Sequence, residues 1–315
     1  MLKSRIFLKG EHMKVIIPST MNAKTRDPFI LKHNGLYYHC FSDDGKTVSV
    51  SCFKNIDDIS TAESKKVFIP NNKMYSCEIW APELHIINDK CYIYVACDDG
   101  NNYNHRMYVL ENGSNDPMKE YSMLGKISDS TDKWAIDGNV ITFNEELYYF
   151  WSGWEGNRNV RQNIYIAKLK DPCTLSSERV MISTPTYEWE KIGCTPEDVE
   201  GKPYINEGPF AFVYNNELYL AYSASGSWDK GYCISFLKLI GNDPLLKENW
   251  YKYDKPTLSS NDLVVGAGHP SIIDEDDKKI IFFHGWKKEC EKIAWNTVST
   301  WMGELELVDG RFLIK

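Results

Sequence analysis

Three carboxylates stand directly before Pro or Gly at the mouths of apolar runs: Asp27 in RDPF, Asp137 in WAIDGNV and Glu207 in KPYINEGPF. Paired carboxyl groups can cleave a glycosidic bond, one donating a proton to the leaving oxygen and the other taking one from water. In the inverting case the two stand about 6.5–9.5 Å apart, against about 5–5.5 Å in the retaining case. A third carboxylate helps the donor keep its proton, because like charges close together resist ionising at once. In that chemistry Glu207 stays protonated near neutral pH, Asp27 stays ionised, and Asp137 is the third group. Each acid also has a plainer reading. Acids collect at turns, where Pro28 would fix Asp27 and an Asx-turn onto Gly138 would use Asp137.

The elements that would have to position these groups repeat along the chain. Five stretches share one plan, a motif with Pro or Gly followed by an apolar run, a polar turn and a second apolar run. They are RDPFILKHNGLYYHCFSDD, APELHIINDKCYIYVACDD, IDGNVITFNEELYYFWSGW, NEGPFAFVYNNELYLAYSASG and GHPSIIDEDDKKIIFFHGW. The second runs begin at Leu36, Cys91, Leu147, Leu218 and Ile280, a period of about sixty residues. The turns HNG, NDK, NEE, NNE and DDK carry hairpin chemistry. Further strands are expected at TVSVSCF, HRMYVLE, QNIYIAKL, GYCISFLKL, KIAWNTV and ELELVDGRFLIK.

No stretch reads as a long amphipathic helix, and 19 Tyr, 13 Phe and 10 Trp favour sheet throughout. Sheets of this kind bury their faces by packing radially, so five units imply an all-β, five-bladed β-propeller forming a single domain over residues 1–315. A β-sandwich would not need five equivalent entry motifs. In a propeller, Asp27, Glu83, Asp137, Glu207 and His269 would be displayed around one axis.

Composition narrows the partners. A net charge of -8 argues against nucleic acid and fits an uncharged substrate. The N-terminus lacks the apolar core of a signal peptide and no 18-residue apolar segment follows, so the chain is expected to be cytoplasmic, with no membrane partner. Nine cysteines at irregular spacing, with no CxxC pair, argue against disulfides, zinc or redox chemistry. Cys40, Cys91, Cys97 and Cys233 read as small buried apolar groups.

Taken in order, RDPF with LYYHCFS, IWAPELH, WAIDGNV, NEGPF and GHPS resemble the motifs of glycoside hydrolase family 43, over nearly the whole chain. The resemblance implies a five-bladed propeller and inversion at the anomeric carbon. Carried over motif by motif, it implies Asp27 as general base, Asp137 as the residue that tunes and orients the acid, and Glu207 as general acid. It also brings His269 close to the central cavity, against substrate or, through water, near a structural calcium; no cofactor is required for the reaction. Calcium prefers six to eight oxygens, and a buried histidine bonded to carboxylates is the alternative. Glu83 is expected to be a structural hydrogen-bond partner. Trp80, Trp154 and Trp228 serve either as sugar-stacking faces or as core, with Trp154 and Trp228 expected to be the more exposed.

Within the family, VMISTPTYEWE, LAYSASG and GAGHPSI resemble members that release terminal α-L-arabinofuranosyl units from arabino-oligosaccharides. Two departures bear on the sugar: Pro270 stands where many such members have Asn, and Arg26 precedes the base where a small residue is common. A β-xylosidase, an endo-arabinanase and a non-catalytic carbohydrate-binding propeller are the alternatives, all on arabinose- or xylose-containing glycans. NWYKYDKPTLSSNDLVVG and SGWEGNRNVR are the candidate loops for closing a pocket.

Overall fold

The computed structural model describes residues 13–197, 199–290 and 293–315, apart from the side chains of Asn22 and Ala23. Most of the N-terminal stretch read for a secretion signal therefore lies outside the described residues. Among those described, regular structure is strand, with short 3-10 turns and no α-helix. Among the described residues no helix is long and apolar enough to cross a membrane.

The strands pair in five consecutive groups. The first holds Phe29–His33, Leu36–Asp43, Thr47–Phe53 and Ser64–Phe68, and the second Cys77–Ile87, Lys90–Asp98, Arg106–Glu111 and Ser122–Ile127. The third runs through Ala135–Phe143, Glu146–Gly153 and Arg161–Asp171, flanked by two short strands, and the fourth through Tyr204–Tyr214, Glu217–Ala224, Cys233–Leu239 and Trp250–Lys252. The fifth holds Val264–Glu275, Lys278–Lys287, Ser299–Val308 and Arg311–Ile314, and gains Lys14–Ile17 from the other end of the chain, where Val15 faces Trp301. By hydrogen bonding these make four sheets rather than five. The third and fourth groups merge through a short parallel contact, Arg161 with Tyr204 and Gln162 with Ile205.

Local chemistry accounts for the hairpins. In each group the first two strands are joined by two residues, and four of these turns have both residues at positive φ: Asn34–Gly35, Asn88–Asp89, Asn144–Glu145 and Asn215–Asn216. Such turns match the right-handed twist of the strands, and Asn, Asp and Gly tolerate them best. One expected strand is a correction. In KIAWNTV, Trp295–Thr297 forms a 3-10 turn, because the Ala294 carbonyl accepts from Thr297 N, Thr297 Oγ1 and Trp286 Nε1, closing the backbone on itself.

Packing runs from each group to the next. Tyr94 and Val109 of the second group meet Tyr149 and Trp151 of the third. Phe150 and Ile166 of the third meet Leu220 and Leu237 of the fourth. Ile273 and Phe282 of the fifth meet Ile30 and Tyr37 of the first. A larger cluster joins Val50 with Ile93, and Phe236 with Phe283. Cys40, Cys91, Cys97 and Cys233 are buried, and all nine cysteines are free thiols.

Candidate active site

Each group's first strand enters through a residue at positive φ followed by Pro or Gly: Asp27–Pro28, Ala81–Pro82, Asp137–Gly138, Gly208–Pro209 and His269–Pro270. Left-handed backbone at a non-glycine residue costs on the order of 1–3 kcal/mol and persists where the surroundings impose it. The ladders shift register at this point in the second to fifth groups. This corrects the phase expected from the motifs. The equivalent position in the second group is Ala81, not Glu83, and in the fourth it is Gly208, not Glu207. Gly208 also passes close to the last entry strand, since a Cβ there would lie 3.3 Å from His269 Cα.

Asp27, Asp137, Glu207 and His269 line one cavity of about 640 Å³, within the range of small-molecule sites. Asp137 and Glu207 are buried, whereas Asp27 keeps 27% of its side chain exposed. Asp137 Oδ2 accepts the Gly208 backbone N–H at 2.9 Å, holding it next to the residue after Glu207. Tyr232 Oη donates to Glu207 Oε1 at 2.8 Å. Asp27 Oδ1 lies 3.2 Å from His269 Nδ1, and the Asp27 N–H reaches His284 Nδ1 at 3.2 Å. His284 Nδ1 is also 3.3 Å from Asp27 Oδ1. One nitrogen cannot accept the amide hydrogen and donate to the carboxylate together. Burial holds His284 below its ordinary pKa, so we assign it as neutral and accepting; His269 Nδ1 is the imidazole nitrogen left to face the Asp27 carboxylate.

The carboxyl groups are pulled in opposite directions. Burial alone would push Asp27 up, but His269 first and then Arg26 carry it below the ordinary carboxylate range. Burial raises Asp137 to about 6, with Asp27 and Glu83 adding to the rise and His269 and the Gly208 N–H opposing it. Glu207 is pushed well above its ordinary value by burial and then by the charges of Asp137 and Asp27, against the Tyr232 hydrogen bond. His269 is raised overall: burial pulls it down, and Asp27, Asp137 and Glu83 more than offset that.

The aromatic expectations divide. Trp80 lines the cavity, stacked on His105 at 4.3 Å with its Nε1 on Glu78. Trp228 lines it too, its Nε1 donating to Gly193 O at 2.7 Å. Trp154 is a correction: it is 2% exposed, stacked on Trp134 at 4.9 Å, and is not among the cavity-lining residues. A strand end that reads as polar-flanked is covered here by the Trp134 and Tyr103 rings. Of the two candidate closing loops, SGWEGNRNVR contributes Asn159 to the wall and NWYKYDKPTLSSNDLVVG contributes none.

Among the lining residues that the motifs do not single out are Tyr232, His284, Trp134 and Trp295. His284 had a signal, an imidazole inside the apolar run IIFFHGW. Tyr232 had another, because a Cβ at Gly268 would fall 1.8 Å from its ring, so the glycine of GAGHPS makes room for it. Arg26 also lines the cavity, over the Trp295 ring at 5.4 Å. Among the described residues no group of three or more His, Cys, Asp or Glu side chains is placed to hold a metal. With His269 Nδ1 against Asp27, this donor set does not suit direct calcium binding.

The sequence signature of glycosyl hydrolases family 43 matches residues 18–311. The chain is 25% identical over 321 residues to an extracellular exo-alpha-(1->5)-L-arabinofuranosidase of Streptomyces avermitilis, covering 94% of this chain and 65% of that protein. It is 27% identical over 269 residues to one of the same name from Streptomyces chartreusis, covering 82% of this chain and 79% of that protein. The crystal structure of an alpha-L-arabinofuranosidase from Lactobacillus brevis superposes with a TM-score of 0.83 at 26% identity, over 96% of this chain and 95% of that one. The two Streptomyces proteins are named extracellular, which overturns the expectation of a cytoplasmic location. With a family signature over nearly its whole length and three carboxylates gathered in one cavity, the chain belongs to glycosyl hydrolases family 43 and is a glycosidase.

Proposed function

We propose that the chain releases terminal α-L-arabinofuranosyl residues from arabino-oligosaccharides with inversion, Asp27 activating water and Glu207 protonating the leaving oxygen. The observation that carries this reading is the contrast inside one cavity: Asp27 faces His269 at 3.2 Å, which draws its pKa down, and Glu207 is buried beside Asp137, which pushes its pKa up. That is the division of labour a general base and a general acid need at the same pH. Asp137 orients the segment that carries the acid through the Gly208 amide and raises the acid's pKa by its charge. Trp80 and Trp228 supply ring faces for the sugar, and His269 holds the base. Two relatives named for exo action on α-1,5-linked arabinose favour that substrate over xylosides.

The five strand groups are read as five blades of one propeller domain, supported by the packing of each on the next and of the fifth on the first. No step of the reaction passes through calcium; an ion near His269 would be held through water.

The test is product analysis by NMR on arabinosyl and xylosyl oligosaccharides. The expected product is single arabinose units whose anomeric configuration at first appearance is opposite to that of the substrate. Xylose, internal cleavage or retention would each overturn the corresponding part.

A further inference from the structure

Two strands that share no backbone ladder are tied together behind the cavity. Ala135–Phe143 and Tyr204–Tyr214 belong to different groups and pair with other strands. Between them, Asp137 Oδ2 accepts the Gly208 N–H, and two residues along, Asn139 Oδ1 accepts the Ala211 N–H at 2.9 Å. These anchors fall on either side of Pro209, which has no N–H to offer. They bracket the stretch where the fourth group's own ladder skips from Glu207 to Phe210. Where its own ladder skips, the segment following Glu207 is held by two side chains of the neighbouring group.

Asn139 can do this only with its amide oxygen toward Ala211. Its Nδ2 donates to Glu83 Oε2 at 2.6 Å, and His85 Nε2 lies 3.0 Å from the same oxygen. Glu83 is 4% exposed and Asn139 is 1% exposed, and neither lines the cavity. Burial raises Glu83 to about 8. Whether it is ionised or carries its proton on the other oxygen, Oε2 accepts. A buried acceptor there selects the NH₂ end of Asn139, because an amide turned the other way would set two acceptors face to face and leave the Ala211 N–H unmatched.

We propose that Asn139, oriented by Glu83, is a positioning residue for the proton donor Glu207. The inference rests on the reading of Glu207 as the acid. Loss of the anchor lets the Glu207 segment shift at the bulge, and misplacement of about 1 Å costs about 10²-fold in a positioned step. The loss therefore falls on protonation of the leaving group.

The experiment compares Asn139→Ala, Glu83→Ala, Glu83→Gln and Glu207→Gln on an arabino-oligosaccharide and on 4-nitrophenyl α-L-arabinofuranoside, whose leaving group needs little protonation. For Asn139→Ala and Glu83→Ala, kcat on the oligosaccharide is expected to fall about 10²-fold, and on the nitrophenyl glycoside by under about tenfold, with KM unchanged in both. Glu83→Gln, whose amide oxygen still accepts from Asn139, is expected to recover at least about tenfold over Glu83→Ala. Equal losses on both substrates, in proportion to the folded fraction, would mean a purely structural role and overturn the proposal. So would Glu83→Gln no better than Glu83→Ala, a pair that carries the same contrast should Asn139→Ala fail to fold. A leaving-group split in Glu207→Gln with none in Asn139→Ala overturns positioning alone, whereas no split in Glu207→Gln overturns the acid assignment and the positioning with it.

Discussion

The Asp27 and Glu207 walls of the cavity carry the same functional group and push its pKa in opposite directions. Around Asp27 stand His269, His284 and Arg26, and the side chain keeps some contact with the cavity. Around Glu207 stand a second carboxylate and the Tyr232 phenol, in a buried setting. Burial raises both carboxyls, so burial does not decide the difference. The sign of the neighbouring charge does, and that sign comes from other strand groups: His269 from the fifth for Asp27, Asp137 from the third for Glu207.

Substitutions at these walls should separate the two roles. Asp27→Asn is expected to lower activity by roughly 10³-fold or more, equally on oligosaccharides and nitrophenyl glycosides, because the base acts on water and not on the leaving group. Any marked dependence on the leaving group would reverse the assignment of the two walls. Glu207→Gln should cost roughly 10²-fold on the oligosaccharide and much less on the nitrophenyl glycoside, as steady-state rates on the two will tell. Asp137→Asn removes a negative charge that, after burial, raises the Glu207 pKa. The Glu207 pKa falls, and the alkaline limb of the pH–rate profile moves to lower pH by about one unit; a limb that stays put removes the tuning role. His269→Gln removes the cation facing Asp27, so the Asp27 pKa rises. The acidic limb, where activity is lost as Asp27 takes up a proton, moves to higher pH by about one unit. An acidic limb that does not move would mean His269 does not hold the base.

Much of this arrangement is legible along the chain. The hairpin turns announce themselves because only a few residue types accept two successive left-handed conformations, and the Asn, Asp and Gly pairs sit at matching places in the repeat. The three acids stand out because each interrupts an apolar run beside Pro or Gly. The phase within the repeat is not legible in the residue order. Glu83 and Glu207 lie near the positions matched with Asp27 and Asp137, and only the backbone angles at Ala81 and Gly208 show that the acids are displaced from the turn itself. That displacement by two residues puts Glu83 behind the cavity, on Asn139 and His85, and not at its surface.

Trp154 and Trp228 make the same point. Both follow a strand in polar surroundings, SGWEGN and SGSWDK. Trp154 is covered by the rings of Trp134 and Tyr103, which arrive from elsewhere in the chain, while Trp228 is pinned by the Gly193 carbonyl at the cavity wall. Tyr232 and His284 meet Glu207 and Asp27 across long sequence separations for the same reason.

Residue order is enough to mark the hairpin turns, the repeat and most strands, KIAWNTV excepted, since these depend on preferences of neighbouring residues and on the alternation of apolar and polar side chains. Protonation state, burial of a given tryptophan and the partner of a given amide depend on which groups approach through space. Those distances exist only once the strand groups have packed against one another, because a charge interaction or a hydrogen bond is set by separation in ångströms and not by separation along the chain.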